Sequence, residues 1–172
     1  MSIFFKTADT LKQGSMTLSQ KYYMDESIYD KEMSNIFFKS WLCCGRSQDM
    51  QKPGDYKTIN IGNESIIILK NEHHKFNAFY NVCRHRGTRI CIKENGNFSK
   101  SIQCPYHGWT YDLNGKLLSA PNMDAVNDFN KSDYPLHELR IAEWGGFIFI
   151  NLGNNPVDFI FEFSPLKDCF VE

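Results

Sequence analysis

Short apolar runs alternate with polar residues along most of the chain, and the period becomes helical in one stretch. Ile28, Met33, Ile36, Phe37 and Trp41 recur at near-helical intervals, which predicts a helix from about 27 to 40 with Ser27 and Asp30 as its capping box. Residues 1–24 carry no such period and are expected to form an arm. Beyond Pro53-Gly54 the runs are strand-like: 56–61 and 65–69 flank Gly62-Asn63, a hairpin signal, and Phe76, Ala78 and Tyr80 alternate with polar residues. Asn95-Gly96-Asn97 reads as a turn, and 101–104 as a short strand. A hairpin is expected at 109–112 and 116–118 around Asn114-Gly115, and another at 138–144 and 147–152 around Gly145-Gly146. This spacing predicts a mainly β, antiparallel domain, not alternating β-α units. After Asn154-Asn155-Pro156, the aromatic tail Phe159, Ile160, Phe161, Phe163 either covers the core or meets another domain or subunit.

With 172 residues, 42% of them hydrophobic, the chain can form one ordinary domain that buries roughly 70% of its unfolded surface. No run approaches the roughly 20 apolar residues of a membrane span, and the opening MSIFFKTADTLKQGS lacks a sustained apolar core and a small-residue cleavage site. A cytoplasmic protein with no membrane partner is therefore expected. The formal net charge of −1 argues against a nucleic-acid partner, which would need a basic stripe to displace counterions. The balance is uneven, however. Residues 83–107 hold five basic residues and one acidic residue, whereas 108–172 hold four basic and ten acidic.

Six cysteines without a secretion signal, in a chain this long and at irregular spacing, point to metal binding more than to disulfides. Only Cys83 and Cys104 have histidines at short offsets. Cys83-Arg84-His85-Arg86-Gly87 and Cys104-Pro105-Tyr106-His107-Gly108-Trp109 each supply one thiolate and one imidazole, with 18 residues between His85 and Cys104. Zinc accepts such an S2N2 set, but the usual finger puts its two cysteines close together and its two histidines close together. Here each half carries one of each. His73 and His74 fall in a polar turn and His137 stands alone, so none completes another metal site. Gly87, Gly108 and Pro105 suit tight loops, and Trp109 is expected to shield one side of the site while packing against the sheet.

The two motifs together resemble the Rieske [2Fe-2S] site. That resemblance implies Cys83 and Cys104 on one iron and His85 and His107 on the other, with histidine raising the reduction potential above that of a four-cysteine ferredoxin. Reduction adds a negative charge, which Arg84, Arg86 and Arg89 are placed to stabilise. The flanks extend the likeness to the N-terminal Rieske domain of the large subunit of Rieske non-haem iron oxygenases. They run from IYDKEMSNIFFKSWLCCGRSQDMQKPGDY through NVCRHRGTRI and CPYHGWTYDLNGKLLSAPNM to YPLHELRIAEWGGFIFINL. The respiratory type usually adds a cysteine to each loop, and these positions are Thr88 and Tyr106 here. It also often has a serine two residues after the second histidine, where this chain has Trp109. Loss of that hydroxyl implies a lower potential than in the respiratory relatives.

The resemblance implies an antiparallel β-sandwich with cluster-binding loops and an N-terminal helix. The expected divisions are 1–44 (arm and helix), 45–155 (the Rieske domain) and 156–172 (a tail leading towards a catalytic domain). Complete relatives hold mononuclear Fe(II) in a C-terminal domain, and the cluster of one subunit serves the iron of its neighbour in a trimer. No histidine follows His137, so that iron is expected in a missing domain or partner, and no residue of this chain is assigned a catalytic role. The implied partners are a flavin- or ferredoxin-dependent reductase and an oxygenase catalytic domain or subunit. Within the family the flanks most resemble oxygenases of quaternary-ammonium compounds such as glycine betaine or carnitine, with aromatic-ring hydroxylating relatives close behind. A freestanding Rieske-type ferredoxin and a zinc-stabilised interaction domain are the two alternatives.

Overall fold

The computed structural model describes residues 14, 16–123 and 125–169. Most of the expected N-terminal arm lies outside them. Two short helices, α1 (Lys21–Met24) and α2 (Glu26–Glu32), lead into a π-helical turn at Met33–Phe37, in place of one helix from 27 to 40. The break follows from the cap: Asp25 is extended and its carboxylate accepts from the Ser27 N–H at 2.9 Å, so α2 starts there. Asp25, not Ser27, is the capping residue. The wider π turn buries Met33 and leaves Ile36 and Phe37 largely exposed.

Among the described residues ten strands follow: β1 (Leu42–Arg46), β2 (Asp55–Ile61), β3 (Glu64–Lys70), β4 (Phe76–Tyr80), β5 (Asn95–Asn97), β6 (Ile102–Gln103), β7 (Thr110–Tyr111), β8 (Leu117–Ser119), β9 (Glu138–Trp144) and β10 (Phe147–Asn151). Every pairing is antiparallel. Seven strands form a curled sheet in the order β1-β10-β9-β4-β3-β2-β5, and β6-β7-β8 form a second, smaller one. The architecture is the mainly β, antiparallel domain that the spacing predicts and the sandwich that the resemblance implies. Asn95–Asn97 departs from expectation, forming an edge strand on β2 with Gly96 opposite Tyr56. A turn-rich composition still fits an edge, where few side chains need packing. β1 is also new, since its sequence LCCGR has no clear alternation and it forms by pairing with β10.

β3 explains why two cores exist. In the run Ile66-Ile67-Ile68-Leu69 successive side chains point to opposite faces. Ile66 and Ile68 pack with Met50, Leu139, Ile148 and Ile150, while Ile67 and Leu69 pack with Phe79, Ile102, Trp109 and Tyr111 between the two sheets. At roughly 1.5–3 kcal/mol per buried large apolar side chain, this strand fixes both layers. The tail turns back as a short helix, α3 (Phe159–Phe163), capped by Asp158. Phe159 is buried against Trp41 and Phe149, and the Trp41 indole donates to the Val157 carbonyl at 2.9 Å, whereas Ile160 and Phe161 remain exposed.

One buried polar residue ties the sheet to the loops above it. Asn81, just beyond β4, accepts from the N–H groups of Ile90 and Cys91 at 3.1 and 2.8 Å and donates to the Cys91 carbonyl at 2.7 Å. Its own N–H donates to the Ser65 carbonyl at 2.8 Å. Asn81 therefore pins both ends of the segment from 83 to 89. Replacing it with alanine leaves two buried N–H groups unpaired, at ~1–3 kcal/mol each. Urea unfolding of Asn81→Ala is expected to show a loss of about 3 kcal/mol; a change below about 1 kcal/mol would show that the pin is dispensable.

Candidate metal centre

The four sequence-singled donors come together on two loops at one end of the sandwich. The first loop follows β4 and the second connects β6 to β7. Both are closed in the same way. The Cys83 N–H donates to the Thr88 carbonyl and the Gly87 N–H to the Cys83 carbonyl, at 2.8 and 2.9 Å; the Cys104 N–H donates to the Trp109 carbonyl and the Gly108 N–H to the Cys104 carbonyl, at 2.8 and 3.1 Å. Each cysteine is thus followed four residues later by a glycine in the left-handed region, φ +70° at Gly87 and +71° at Gly108. A Cβ would meet nothing closer than 3.7 Å at either position, so the requirement for glycine is one of backbone conformation, not space.

Within this frame like donors face like. Cys83 and Cys104 are 2% and 3% exposed and lie in the same buried cluster. The rings of His85 and His107 lie 4.7 Å apart, inclined at 72°. Burial, and secondarily the neighbouring Cys83 thiol, pushes the Cys104 thiol up, towards its protonated form. Burial also lowers the His85 imidazole, followed by the charges of His107 and Arg86, which favours the neutral ring that metals bind. His85 Nδ1 is buried and has no hydrogen-bond partner, as an atom does whose partner is a metal. Among the described residues no three His, Cys, Asp or Glu side chains converge as a single-ion site. Two thiols in one pair and two imidazoles in the other, with an orphaned ring nitrogen, suit the donor set of a [2Fe-2S] cluster with mixed ligation.

The surrounding shell includes residues that sequence reasoning missed. The Tyr111 hydroxyl, fully buried, lies 3.4 Å from Cys83 Sγ and accepts from the Arg84 N–H at 3.2 Å. Burial, then the neighbouring Cys83, pushes its pKa up and keeps the phenol protonated. The available signal was its position two residues after Trp109, with which it shares a buried cluster. Trp109 itself is 1% exposed and stacks on His85, with centroids 4.9 Å apart and planes 9° from parallel. This agrees with the shielding role expected of it. Arg84 donates to the Pro135 carbonyl at 2.8 Å, clamping the first loop to the segment before β9, while Arg86 and Arg89 are exposed. Tyr106 lies against His107 at 3.8 Å and is 62% exposed, so the second loop presents an aromatic edge to the surface. His73, His74 and His137 are exposed and stand outside this cluster.

Comparison with known proteins bears on the same loops. A family profile described as the Rieske [2Fe-2S] domain matches residues 40–130, which include both. The glycine betaine monooxygenase oxygenase subunit of Pseudomonas aeruginosa is 38% identical over 152 residues, covering 87% of this chain and 35% of that protein. The benzene 1,2-dioxygenase subunit alpha of Pseudomonas putida is 35% identical over 142 residues, covering 82% and 31%. Among solved structures, the quaternary ammonium Rieske monooxygenase CntA in complex with L-carnitine superposes with a TM-score of 0.79 at 34% identity, over 86% of this chain and 41% of that one. The chain therefore spans about a third of the length of the curated relatives it matches.

The loop closures make a direct prediction. Alanine at Gly87 or Gly108 has to adopt a left-handed conformation at a cost of roughly 1–2 kcal/mol, whereas asparagine enters that region more readily. Gly108→Ala is expected to lower the urea midpoint and Gly108→Asn to lower it less; equal losses in the two variants would place the cost in packing instead.

Proposed function

The chain belongs to the Rieske [2Fe-2S] domain family, and from that premise we propose that it carries electrons singly to a mononuclear iron site outside residues 1–172. The observation that carries this reading is the paired arrangement of the four donors, two buried thiols and two half-buried imidazoles. In it Cys83 and Cys104 hold one iron and His85 and His107 the other. Such a cluster, when bound, supplies a one-electron couple whose potential lies above that of a four-cysteine centre. The protein's own contribution is to keep both thiols out of water, to bias the His85 imidazole towards its neutral form, and to direct the Tyr111 hydroxyl at the Cys83 sulfur.

The divisions 1–44, 45–155 and 156–172 belong to the same reading, with the middle segment as the electron-transfer unit and the last leading to the catalytic part. A flavin- or ferredoxin-dependent reductase is the donor, a neighbouring subunit of a trimer holds the acceptor iron, and the assembly is cytoplasmic. No helix of the described residues is long and apolar enough to cross a membrane. The substrate is a quaternary-ammonium compound in first choice and an aromatic ring in second. Likeness to a glycine betaine monooxygenase subunit at 38% identity and to a benzene dioxygenase subunit at 35% supports that order.

Electron paramagnetic resonance of the anaerobically purified, dithionite-reduced chain tests the reading, with iron and sulfide quantified on the same sample. Two irons, two acid-labile sulfides and a Rieske-type signal are expected; a colourless, redox-silent, zinc-containing protein would overturn it. Substrate oxidation by this chain alone would refute the assignment of catalysis to another site. Tyr111→Phe removes one hydrogen bond to a ligand sulfur that gains negative charge on reduction. The expected effect is a reduction potential lower by on the order of 50 mV with the iron content unchanged, whereas an unaltered potential would mean the hydroxyl serves only Arg84.

A further inference from the structure

One polar atom beside the donor loops is not used by the domain reading. The indole Nε1 of Trp109 is buried and has no hydrogen-bond partner, although leaving such a donor unpaired costs roughly 1–3 kcal/mol. Among the described residues the other buried side-chain atom in this condition is His85 Nδ1. The two atoms belong to rings that stack at 4.9 Å and 9°. The rest of Trp109 is enclosed by Phe129 and Tyr134, at 5.7 Å each and steeply inclined, and neither accepts from Nε1. Its carbonyl is fixed by the Cys104 N–H, so the indole is carried by the closure of the second loop. Trp109 and Tyr111 are two residues apart and lie in the same buried cluster, where the Tyr111 hydroxyl already contacts Cys83 Sγ.

We propose that the Trp109 indole N–H donates a hydrogen bond to a sulfur of the bound cluster, making Trp109 a positioning residue that sets the reduction potential as well as a shield. The inference rests on the domain reading above. It gives this chain a donor at a sequence position where a short hydroxyl is replaced by a large aromatic ring. Both unpaired atoms are then completed by one group, His85 Nδ1 by iron and Trp109 Nε1 by sulfur. Such a bond strengthens as the sulfur gains electron density, so it favours the reduced state.

The test uses the full chain with its cluster, grown with tryptophan labelled with nitrogen-15 in the indole. Pulsed electron paramagnetic resonance of the reduced protein is expected to show a weak nitrogen-15 coupling to the cluster spin, and exchange into deuterated water should alter the matching proton coupling. The chain has three tryptophans, and loss of the coupling in Trp109→Phe assigns it. That variant is also expected to shift the oxidised-to-reduced ratio at fixed potential about tenfold towards oxidised, ~59 mV for a one-electron couple. A labelled wild-type chain that holds a reducible cluster but shows no indole coupling overturns this inference and leaves the domain reading standing, whether or not Trp109→Phe folds. A chain that builds no [2Fe-2S] centre overturns both.

Discussion

In both donor loops the cysteine N–H is given to a carbonyl five residues on, and the cysteine carbonyl accepts from a glycine N–H four residues on. These reciprocal bonds close each short segment of backbone on itself. The cysteine at its start is buried and the histidine within it is half-buried. The closures hold two buried thiols and two imidazoles together at one end of the sandwich, against the tendency of polar groups to return to water. The left-handed glycines complete each closure, and Asn81 anchors the first one to the sheet through buried hydrogen bonds.

The same closure explains the electrostatics. A thiol as buried as Cys104 is held protonated by desolvation, so in metal-free form the site stores an unfavourable environment for thiolates that iron can relieve. The imidazole of His85 is biased in the opposite, helpful direction, towards neutrality. Tyr111 then acts from below on a sulfur, Trp109 acts from the side on a ring, and Arg84 ties the first loop to the Pro135 carbonyl. Stability of the loops and properties of the bound group are thus set by the same few residues.

Much of this was legible in the sequence because it depends on local spacing. The mixed Cys-and-His halves singled out the four candidate donors, the β-rich runs 56–61 and 65–69 and the alternation of Phe76, Ala78 and Tyr80 marked strands, and Gly87 and Gly108 marked tight turns. What escaped were features decided by tertiary pairing. β1 has no alternation to reveal it and exists through β10, while the Asn95–Asn97 segment carries turn residues and is recruited by the edge of β2. The expected helix from 27 to 40 fails at both ends, because Asp25 caps it early and the π turn widens it to bury Met33. Asn81 and Tyr111 look like ordinary strand-end and strand residues until the loops are folded over them. The shared offset of four residues from cysteine to glycine was visible, but its meaning depends on the main-chain bonds that close each loop.

The central claim is that one cluster is held with its two irons in unlike shells, thiolate on one and imidazole on the other. Mössbauer spectroscopy of the iron-57-loaded oxidised protein reads those shells directly. Two iron sites of equal area are predicted, the one with the larger isomer shift belonging to the imidazole-bound iron. A single quadrupole doublet from two equivalent irons, or from a lone mononuclear iron, would contradict the account.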